Sequence, residues 1–168
     1  LNLETDFNFL AMSQWGPRKN LPDTIAWFCQ EFQNDENVGL VVKTFAKGNS
    51  QIDKSYMSNV LKEITNNFPN KKCKVHLLHG YMNEQELHSL YVHPKIKAMI
   101  NFGHGEGFGL PLFEAAYSGL PVITHDFGGQ KDFLYAPKKT KKGGEKLRPH
   151  FSKINYDLKP VQKEVLWK

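Results

Sequence analysis

Short apolar runs alternate with amphipathic stretches along most of the chain, and this alternation constrains the fold more than any other feature. The runs have the length and composition of buried strands and cover residues 7–12, 38–45, 73–79, 96–102 and 121–125. Apolar residues recur at helical spacing between them. Repeated strand–helix units predict an α/β fold, a Rossmann-like parallel sheet with helices on both faces. Such sheets bind ligands at the carboxyl ends of their strands.

Several residues mark where the intervening helices begin. Asn20 is expected to cap the first helix through its side chain, because asparagine is a favoured residue at that position. Asn83 and Glu86 have the spacing of a capping box. Pro111 is expected in the first turn of a later helix, where its missing N–H costs nothing.

The basicity of the chain is concentrated in one segment. The net charge is +5, and residues 138–148 hold six of the 22 Lys and Arg residues but one of the 17 acidic residues. The remaining residues are electrically balanced, which argues against a nucleic-acid-binding face. We expect a Rossmann-like domain at 1–136, a basic flexible loop at 137–150 and an extension of the same domain at 151–168. The loop is either a solvated segment or a contact for an anionic membrane surface or an acidic partner.

The sequence has the features of a cytoplasmic protein. No apolar run approaches the roughly 20 residues needed to span a bilayer, and the N-terminus lacks the layout of a signal peptide. Cys29 and Cys73 belong to no metal-ligand or redox spacing, so buried thiols in a reducing compartment are expected. Peripheral contact with a membrane stays open. Because the chain begins at Leu1 rather than Met, we expect a piece of a longer protein.

Residues 103–121, GHGEGFGLPLFEAAYSGLP, are the most informative segment for function. Four alternating glycines remove side-chain bulk where a strand meets a helix; they are Gly103, Gly105, Gly107 and Gly109. A ligand can therefore approach the backbone closely. The N–H groups of the helix that begins near Leu110 would offer an anion site, strengthened by the helix dipole.

Two carboxylates and two cations surround this turn. Glu106 and Glu114 can each accept hydrogen bonds from the diol of a sugar or a ribose, which suits a nucleotide-sugar whose phosphates lie between them. Taken singly, Glu114 could merely complement the helix dipole and Glu106 could be a solvated charge. Arg18 and Lys19 could supply the positive charge that a departing nucleoside diphosphate needs, or be ordinary surface cations. The sequence contains no Asp-x-Asp pair to hold a metal, so no metal is expected.

Residues 106–114, EGFGLPLFE, resemble the E-x7-E motif of the retaining glycosyltransferases of family 4, and the similarity continues through 126–132, DFGGQKD. The opening QWGPRKN at 14–20 is similar to the G-R-L-x-x-x-K-G phosphate loop of that family. Residues 80–91 are similar to its G-x-x-…-EL-x-x-L-Y segment. The resemblance covers residues 7 to about 134. It implies the GT-B architecture of two facing Rossmann-like domains, with this chain as the C-terminal, nucleotide-sugar-binding one.

The resemblance also implies a role for each matched residue. Glu106 and Lys19 would be catalytic, the first on the hydroxyls of the donor sugar and the second on the pyrophosphate. Glu114 would bind the ribose diol, and Arg18 would assist Lys19. The turn would bind the donor through Gly107, Phe108, Gly109 and Leu110. Tyr81, which follows a strand, would line the base pocket or pack in the core.

One position departs from the family pattern. Gln14 stands where the family usually has an arginine, five residues before the lysine. Either Arg18 takes over that ion pair, or donor binding is weaker than usual.

The function predicted from these residues is transfer of a hexose from a UDP- or GDP-linked donor, with retention of anomeric configuration and without a cofactor. The acceptor would be held mainly by an N-terminal domain that lies outside this chain. The chain alone would then bind a nucleotide-sugar and transfer little or nothing. Two alternatives stay open: a sugar phosphorylase or epimerase of similar architecture, and a non-catalytic nucleotide-binding domain.

Overall fold

A six-stranded parallel sheet lies at the centre of the structure, a computed structural model that describes residues 1–141 and 143–160. Five strands follow the predicted apolar runs: β1 (Phe7–Met12), β2 (Val38–Lys43), β3 (Lys74–Leu78), β4 (Ile96–Asn101) and β5 (Val122–His125). A hairpin follows them, made of β6 (Tyr135–Lys139) and β7 (Glu145–Pro149), and the sixth sheet strand is β8 (Ser152–Ile154). The order across the sheet is β3-β2-β1-β4-β5-β8. The predicted Rossmann-like parallel sheet is confirmed.

Helices cover both faces of this sheet, as predicted. They are α1 (Leu21–Glu31), α2 (Gln51–Asn66), α3 (Glu84–Tyr91), α4 (Leu110–Tyr117) and α5 (Lys131–Leu134). Successive side chains of a strand point to opposite faces. Leu10 of β1 therefore packs in one core cluster with Leu112 of α4, and Ala11 packs in the other with Ile25 of α1 and Met57 of α2.

The strand order reverses next to β1, which fixes where a ligand can enter. From β1 the chain moves outward through β2 and β3, then returns to place β4 on the other side of β1. The connections after β1 and β4 therefore leave the sheet in opposite directions and open a crevice at their carboxyl ends. Residues 13–20 and 102–109 are these two connections. They contain the cations and the glycines that the sequence singles out.

Two predicted helix caps have different outcomes. Asn83 and Glu86 form the capping box at the start of α3, with both reciprocal hydrogen bonds present. Asn20 occupies the N-cap position of α1 but makes no side-chain cap, so that prediction is wrong. Its φ of +51° belongs to the left-handed region, which asparagine tolerates, and its amide donates instead to the Phe102 carbonyl. Asn20 thus ties the two connections of the crevice together.

Much of the basic segment predicted as a flexible loop at 137–150 lies in strands instead, residues 137–139 in β6 and residues 145–149 in β7. Gly143, with a φ of +84°, and the hydrogen bonds between Thr140 and Gly144 close its turn. Both faces of the hairpin lie largely outside the core, so it needs no alternation of apolar residues, which is the signal by which strands are recognised. The following β8 extends the central sheet, while residues 161–168 of the expected extension lie outside the described residues.

The two cysteines are buried thiols, as the sequence predicts. Cys29 is fully buried and Cys73 is nearly so, and the fold brings the two side chains together behind β2. Burial, with the neighbouring Cys73 thiol, raises the pKa of Cys29 to about 12. The thiol therefore stays protonated and unreactive at neutral pH.

A buried carboxylate organises the connection between β2 and α2. Asp53 accepts hydrogen bonds from the backbone N–H groups of Ala46 (3.0 Å) and Lys47 (2.8 Å). His79, at the end of β3, lies 2.8 Å from the same carboxylate. The His79 hydrogen bond, together with these backbone donors, lowers the pKa of Asp53 to about 2. This contact joins the carboxyl ends of two neighbouring strands beside the crevice.

Replacing Asp53 with asparagine is expected to make the free energy of unfolding depend less on pH in acid. Because the pKa in the folded state lies below the ordinary aspartate value of 3.8, the ionised carboxylate stabilises the fold above about pH 4. That contribution is lost as the pH falls towards about 2. The variant should be less stable than the parent at neutral pH and decline less in acid. Urea unfolding across this pH range, with exposed Glu63→Gln as control, measures it; parallel curves for parent and Asp53→Asn would contradict it.

Candidate functional site

The two connections of the crevice are joined through their backbones. Residues 17–19 form a short 3-10 turn, and the carbonyl of Arg18 accepts a hydrogen bond from the N–H of His104 at 2.8 Å. Gly103 allows this approach, since a methyl group on it would lie 3.2 Å from the Arg18 carbonyl oxygen. The turn after β1 is therefore held against the glycine segment after β4. This places Arg18 and Lys19 opposite that segment, as the sequence predicts.

Glu106 is the centre of the polar contacts in the crevice. Its carboxylate accepts hydrogen bonds from Lys19 Nζ at 2.6 and 2.7 Å and from Asn101 Nδ2 at 3.2 Å. Its side chain is 8% exposed, so the ion pair with Lys19 is largely shielded from water. Arg18 Nη1 lies 3.6 Å from Glu106 Oε2 and donates to the Gly105 carbonyl at 2.6 Å. Two cations thus converge on one carboxylate, an arrangement with a surplus of positive charge.

The glycines of the turn serve different purposes. Gly109 has a φ of +86°, a conformation that side-chain-bearing residues rarely adopt. Gly105 and Gly107 face open space, because a methyl group on either would meet no atom within 4 Å. Gly129, in the turn after β5, donates its N–H to the Glu106 carbonyl at 3.2 Å and packs directly on Gly107. The turn is thus supported on one side and accessible on the other.

The first turn of α4 borders the accessible side. The N–H groups of Leu112 and Phe113 donate to the Gly109 carbonyl, and Pro111 has no N–H. The Leu110 N–H, by contrast, has no hydrogen-bond partner within residues 1–141 and 143–160. The side chains of Phe108 and Leu110 are about half exposed beside it. An anion that approaches this turn would find an unoccupied donor and the positive end of a helix.

Glu114 lies in a separate set of contacts. Its carboxylate accepts a hydrogen bond from the Tyr91 hydroxyl at 2.8 Å, and that hydroxyl lies 3.6 Å from the sulfur of Met12, the last residue of β1. Burial and the nearby carboxylate raise the pKa of Tyr91, which therefore remains a hydrogen-bond donor at all ordinary pH values. Glu114 is half-buried at the same carboxyl end of the sheet. The contacts of Glu114 do not include Lys19 or Glu106.

Two further residues stand apart from the Lys19–Glu106 contacts. Tyr81 follows β3, which β2 separates from β1, and its side chain is 80% exposed. It does not pack in the core, one of the two placements expected for it. Gln14 donates to the Ala46 carbonyl at 3.1 Å and so stabilises the neighbouring connection. Both cations that the sequence singles out, Arg18 and Lys19, approach Glu106, whereas Gln14 does not.

Sequence reasoning misses three side chains that support the site. Asn101 and His125 end β4 and β5, and a polar residue at the carboxyl end of a parallel strand is the signal that could have found them. Gln130 Nε2 lies 3.2 Å from His125 Nδ1 and 3.3 Å from the His125 carbonyl, so the ring Nδ1 accepts. The other ring nitrogen then donates to the Gly103 carbonyl at 2.7 Å. This buried chain of contacts fixes the start of the glycine segment.

Within the part of the chain that the structure describes, no three His, Cys, Asp or Glu side chains gather closely enough to hold a metal ion. Over the same residues, no helix combines the length and the apolar character needed to cross a membrane.

The fold belongs to a known class of protein domain. The family model described as glycosyl transferases group 1 matches residues 2–139, and the chain belongs to this family. Among curated proteins, the chain is 30% identical over 119 residues to the serotype-specific mannosyltransferase WbdA of Escherichia coli. This match covers 71% of the chain but 13% of that relative. The chain thus corresponds to a small part of a much longer enzyme.

Solved structures agree with the assignment of the fold. The C-terminal domain of the group 1 glycosyl transferase LpcC from Francisella tularensis superimposes with a TM-score of 0.56 at 20% identity, over 71% of this chain and 58% of that one. Anabaena Alr3699/HepE, solved in complex with UDP-glucose, superimposes with a TM-score of 0.52 at 18% identity, over 76% of this chain and 32% of that one. These superpositions show that the chain shares its Rossmann-like fold with both proteins.

Proposed function

We propose that this chain is the nucleotide-sugar-binding domain of a retaining glycosyltransferase of family 4, which transfers a hexose from a nucleoside-diphosphate donor. The observation that supports it most strongly is the convergence of Lys19 and Arg18 on Glu106 at the reversal point of the sheet. Membership of the glycosyl transferases group 1 family supports the reaction class. The mannosyltransferase relative supports a hexose as the transferred group.

The two cations would bind the diphosphate of the donor. Lys19 is 20% exposed and Arg18 is 35% exposed at their side chains, so both can reach a ligand that enters the crevice. When the bond between the sugar and the phosphate breaks, its electron pair goes to a phosphate oxygen. Preorganised positive charge stabilises that oxygen. Lys19, Arg18 and the first turn of α4 would provide it, so the reaction would need no metal.

The two carboxylates would bind the two sugar rings. When the donor binds, Lys19 would lose part of its contact with the Glu106 carboxylate. Hydroxyls of the donor sugar would then donate to that carboxylate in place of Lys19. Ionised carboxylates only accept hydrogen bonds, so they suit a hydroxyl-rich ligand. Glu114 would accept from the ribose diol, held in orientation by the Tyr91 hydroxyl. Gly107, Phe108, Gly109 and Leu110 would contact the phosphate and sugar through the backbone.

The acceptor would be bound by another domain. The chain spans about an eighth of the length of the mannosyltransferase relatives that it matches. In the proposed arrangement an N-terminal domain faces the crevice, holds the acceptor and completes the catalytic site. The chain alone would therefore bind donor and transfer little or nothing.

Titration with UDP, GDP and ADP, and then with their sugars, tests this function. We expect at least one nucleoside diphosphate to bind, and Lys19→Ala to weaken it about tenfold or more, because a hydrogen bond between charged groups contributes about 1.5–3 kcal/mol. Glu114→Ala should weaken the binding of nucleoside diphosphates but leave the binding of inorganic pyrophosphate unchanged, since only the nucleotide has a ribose. Isothermal titration calorimetry measures both.

The exposed Glu63→Ala on α2 is the matched control for these variants, and it should bind as the parent does. Binding of pyrophosphate with equal affinity to nucleotides would favour the phosphorylase or epimerase alternative. Failure of every nucleotide at millimolar concentration would sink the proposal and leave a non-catalytic domain.

A further inference from the structure

The β6–β7 hairpin gathers three of its cations on one face. Residues directly opposite each other in an antiparallel pair share a face, and the register pairs Lys138 with Lys146 and Ala136 with Arg148. One face of the hairpin therefore presents Lys138, Lys146 and Arg148 together. The cations belong to the segment that carries the net charge of the chain.

The opposite face of the hairpin is largely apolar. The register pairs Pro137 with Leu147 there, and Lys139 faces Glu145 at the far end, where the charges balance. Leu147 is 62% exposed although it is flanked by charged residues. The hairpin is thus amphipathic, with an apolar face and a cationic face on one short ribbon.

Repulsion between the cations on this face lowers the stability of the hairpin. Like charges directly opposite each other on two strands destabilise the pair. Within the residues that the structure describes, Lys138, Lys146 and Arg148 have no ion pair with an acidic side chain. An anionic partner would remove this repulsion. The arrangement therefore favours a surface that supplies several negative charges at once.

The distribution of charge and apolar surface matches a membrane better than a nucleic acid. Amphipathic helices with Lys and Arg on one face and Leu on the other lie in the interface of a bilayer, with long cationic side chains that reach the headgroups, and the hairpin divides its two faces in the same way. A single-stranded nucleic acid is typically bound by a cationic groove with free aromatic rings on which its bases stack. The aromatic residue of the hairpin, Tyr135, is already engaged by Asp126 and Phe151.

The hairpin is attached firmly to the candidate site. The Tyr135 hydroxyl donates to Asp126 Oδ2 at 2.8 Å, and Lys153 Nζ from β8 lies 2.6 Å from the same oxygen. Asp126 begins the turn whose Gly129 donates to the Glu106 carbonyl. A surface bound by the hairpin would therefore hold the crevice in a fixed position relative to it.

We propose that the β6–β7 hairpin docks this domain on an anionic phospholipid bilayer. The cationic face binds lipid phosphates, and Leu147 lies at the boundary between headgroups and acyl chains. This docking is independent of nucleotide binding, since the hairpin does not include Lys19, Glu106 or Glu114.

Co-sedimentation with lipid vesicles tests the proposal with one variant and one matched control. Lys146→Glu removes a cation but places a carboxylate opposite Lys138, so the hairpin itself should be no less stable. Lys62→Glu makes the same change of charge on the exposed side of α2. The parent should bind phosphatidylcholine vesicles that contain phosphatidylglycerol and not those of phosphatidylcholine alone. Lys146→Glu should weaken binding at least about fivefold, and Lys62→Glu by much less.

Thermal unfolding of both variants shows that the difference is one of binding and not of folding. Equal losses in Lys146→Glu and Lys62→Glu would overturn the proposal, because net charge alone would then explain the binding. Equal binding to neutral vesicles would also overturn it. If a single-stranded oligonucleotide binds through Lys146 while the anionic vesicles do not, the partner is a nucleic acid and the bilayer proposal is wrong.

Discussion

Gly129→Ala is expected to lower the free energy of unfolding by about 3 kcal/mol, through overpacking against rigid backbone. A methyl group on Gly129 would lie 1.7 Å from the Gly107 carbonyl oxygen and 2.7 Å from its carbon. Neither atom belongs to a flexible side chain, so the turn after β5 and the glycine segment after β4 would have to separate. The N–H of Gly129 would then lose the Glu106 carbonyl. Calorimetric unfolding should show a melting temperature about 6–12 °C below that of the parent.

Gly105→Ala is the matched control in the same segment. A methyl group there meets no atom within 4 Å, so its melting temperature should stay within about 2 °C of the parent value. Nucleotide binding should also fall in Gly129→Ala, since the displaced turn carries Glu106. An unchanged melting temperature in Gly129→Ala would mean that the two turns are not packed as described.

Glu106→Gln is expected to weaken the binding of a nucleotide-sugar without weakening that of the nucleoside diphosphate. The amide retains the shape of the carboxylate but loses its charge, and with it the strong hydrogen bonds to sugar hydroxyls. The loss should be about tenfold to a hundredfold in the affinity for the sugar-linked donor. The affinity for the nucleoside diphosphate alone should stay equal or rise, because Lys19 no longer has a carboxylate at 2.6 Å to compete with the phosphates.

This opposite response of the two ligands distinguishes contact with the sugar from general damage to the site. Calorimetric titration of each ligand into the parent, Glu106→Gln and the exposed control Glu63→Gln measures it. A parallel loss of affinity for both ligands in Glu106→Gln would indicate a disrupted turn. Unchanged affinity for both would show that Glu106 does not contact the donor.

The periodic part of the fold follows from the sequence alone. Five of the six sheet strands and the helices between them have apolar residues at the spacing of their type, because each buries one or both faces in a core. The capping box of Asn83 and Glu86 is equally local, since its partners lie three residues apart. The β6–β7 hairpin gives no such signal, because neither of its faces enters the core.

The contacts within the site depend on distances along the chain that no local pattern encodes. Lys19 and Glu106 are 87 positions apart, and their direct ion pair follows only from the strand order that places β4 beside β1. The sequence predicts that they face each other and does not predict that they bond. Tyr91 lies at an apolar position of α3 in the sequence pattern. Its hydroxyl contacts Glu114 only because α3 and α4 pack together in the fold. Asn20 illustrates the opposite case. Local sequence predicts a side-chain cap, but the amide donates to the distant Phe102 carbonyl instead.

A crystal structure of this chain with a bound nucleotide-sugar would show whether the crevice binds the donor as proposed. We expect one ligand that spans the crevice, with its diphosphate within hydrogen-bonding distance of Lys19, its sugar hydroxyls on Glu106 and its ribose on Glu114. A ligand bound elsewhere on the domain, with the ion pair between Lys19 and Glu106 intact and Glu114 untouched, would contradict it.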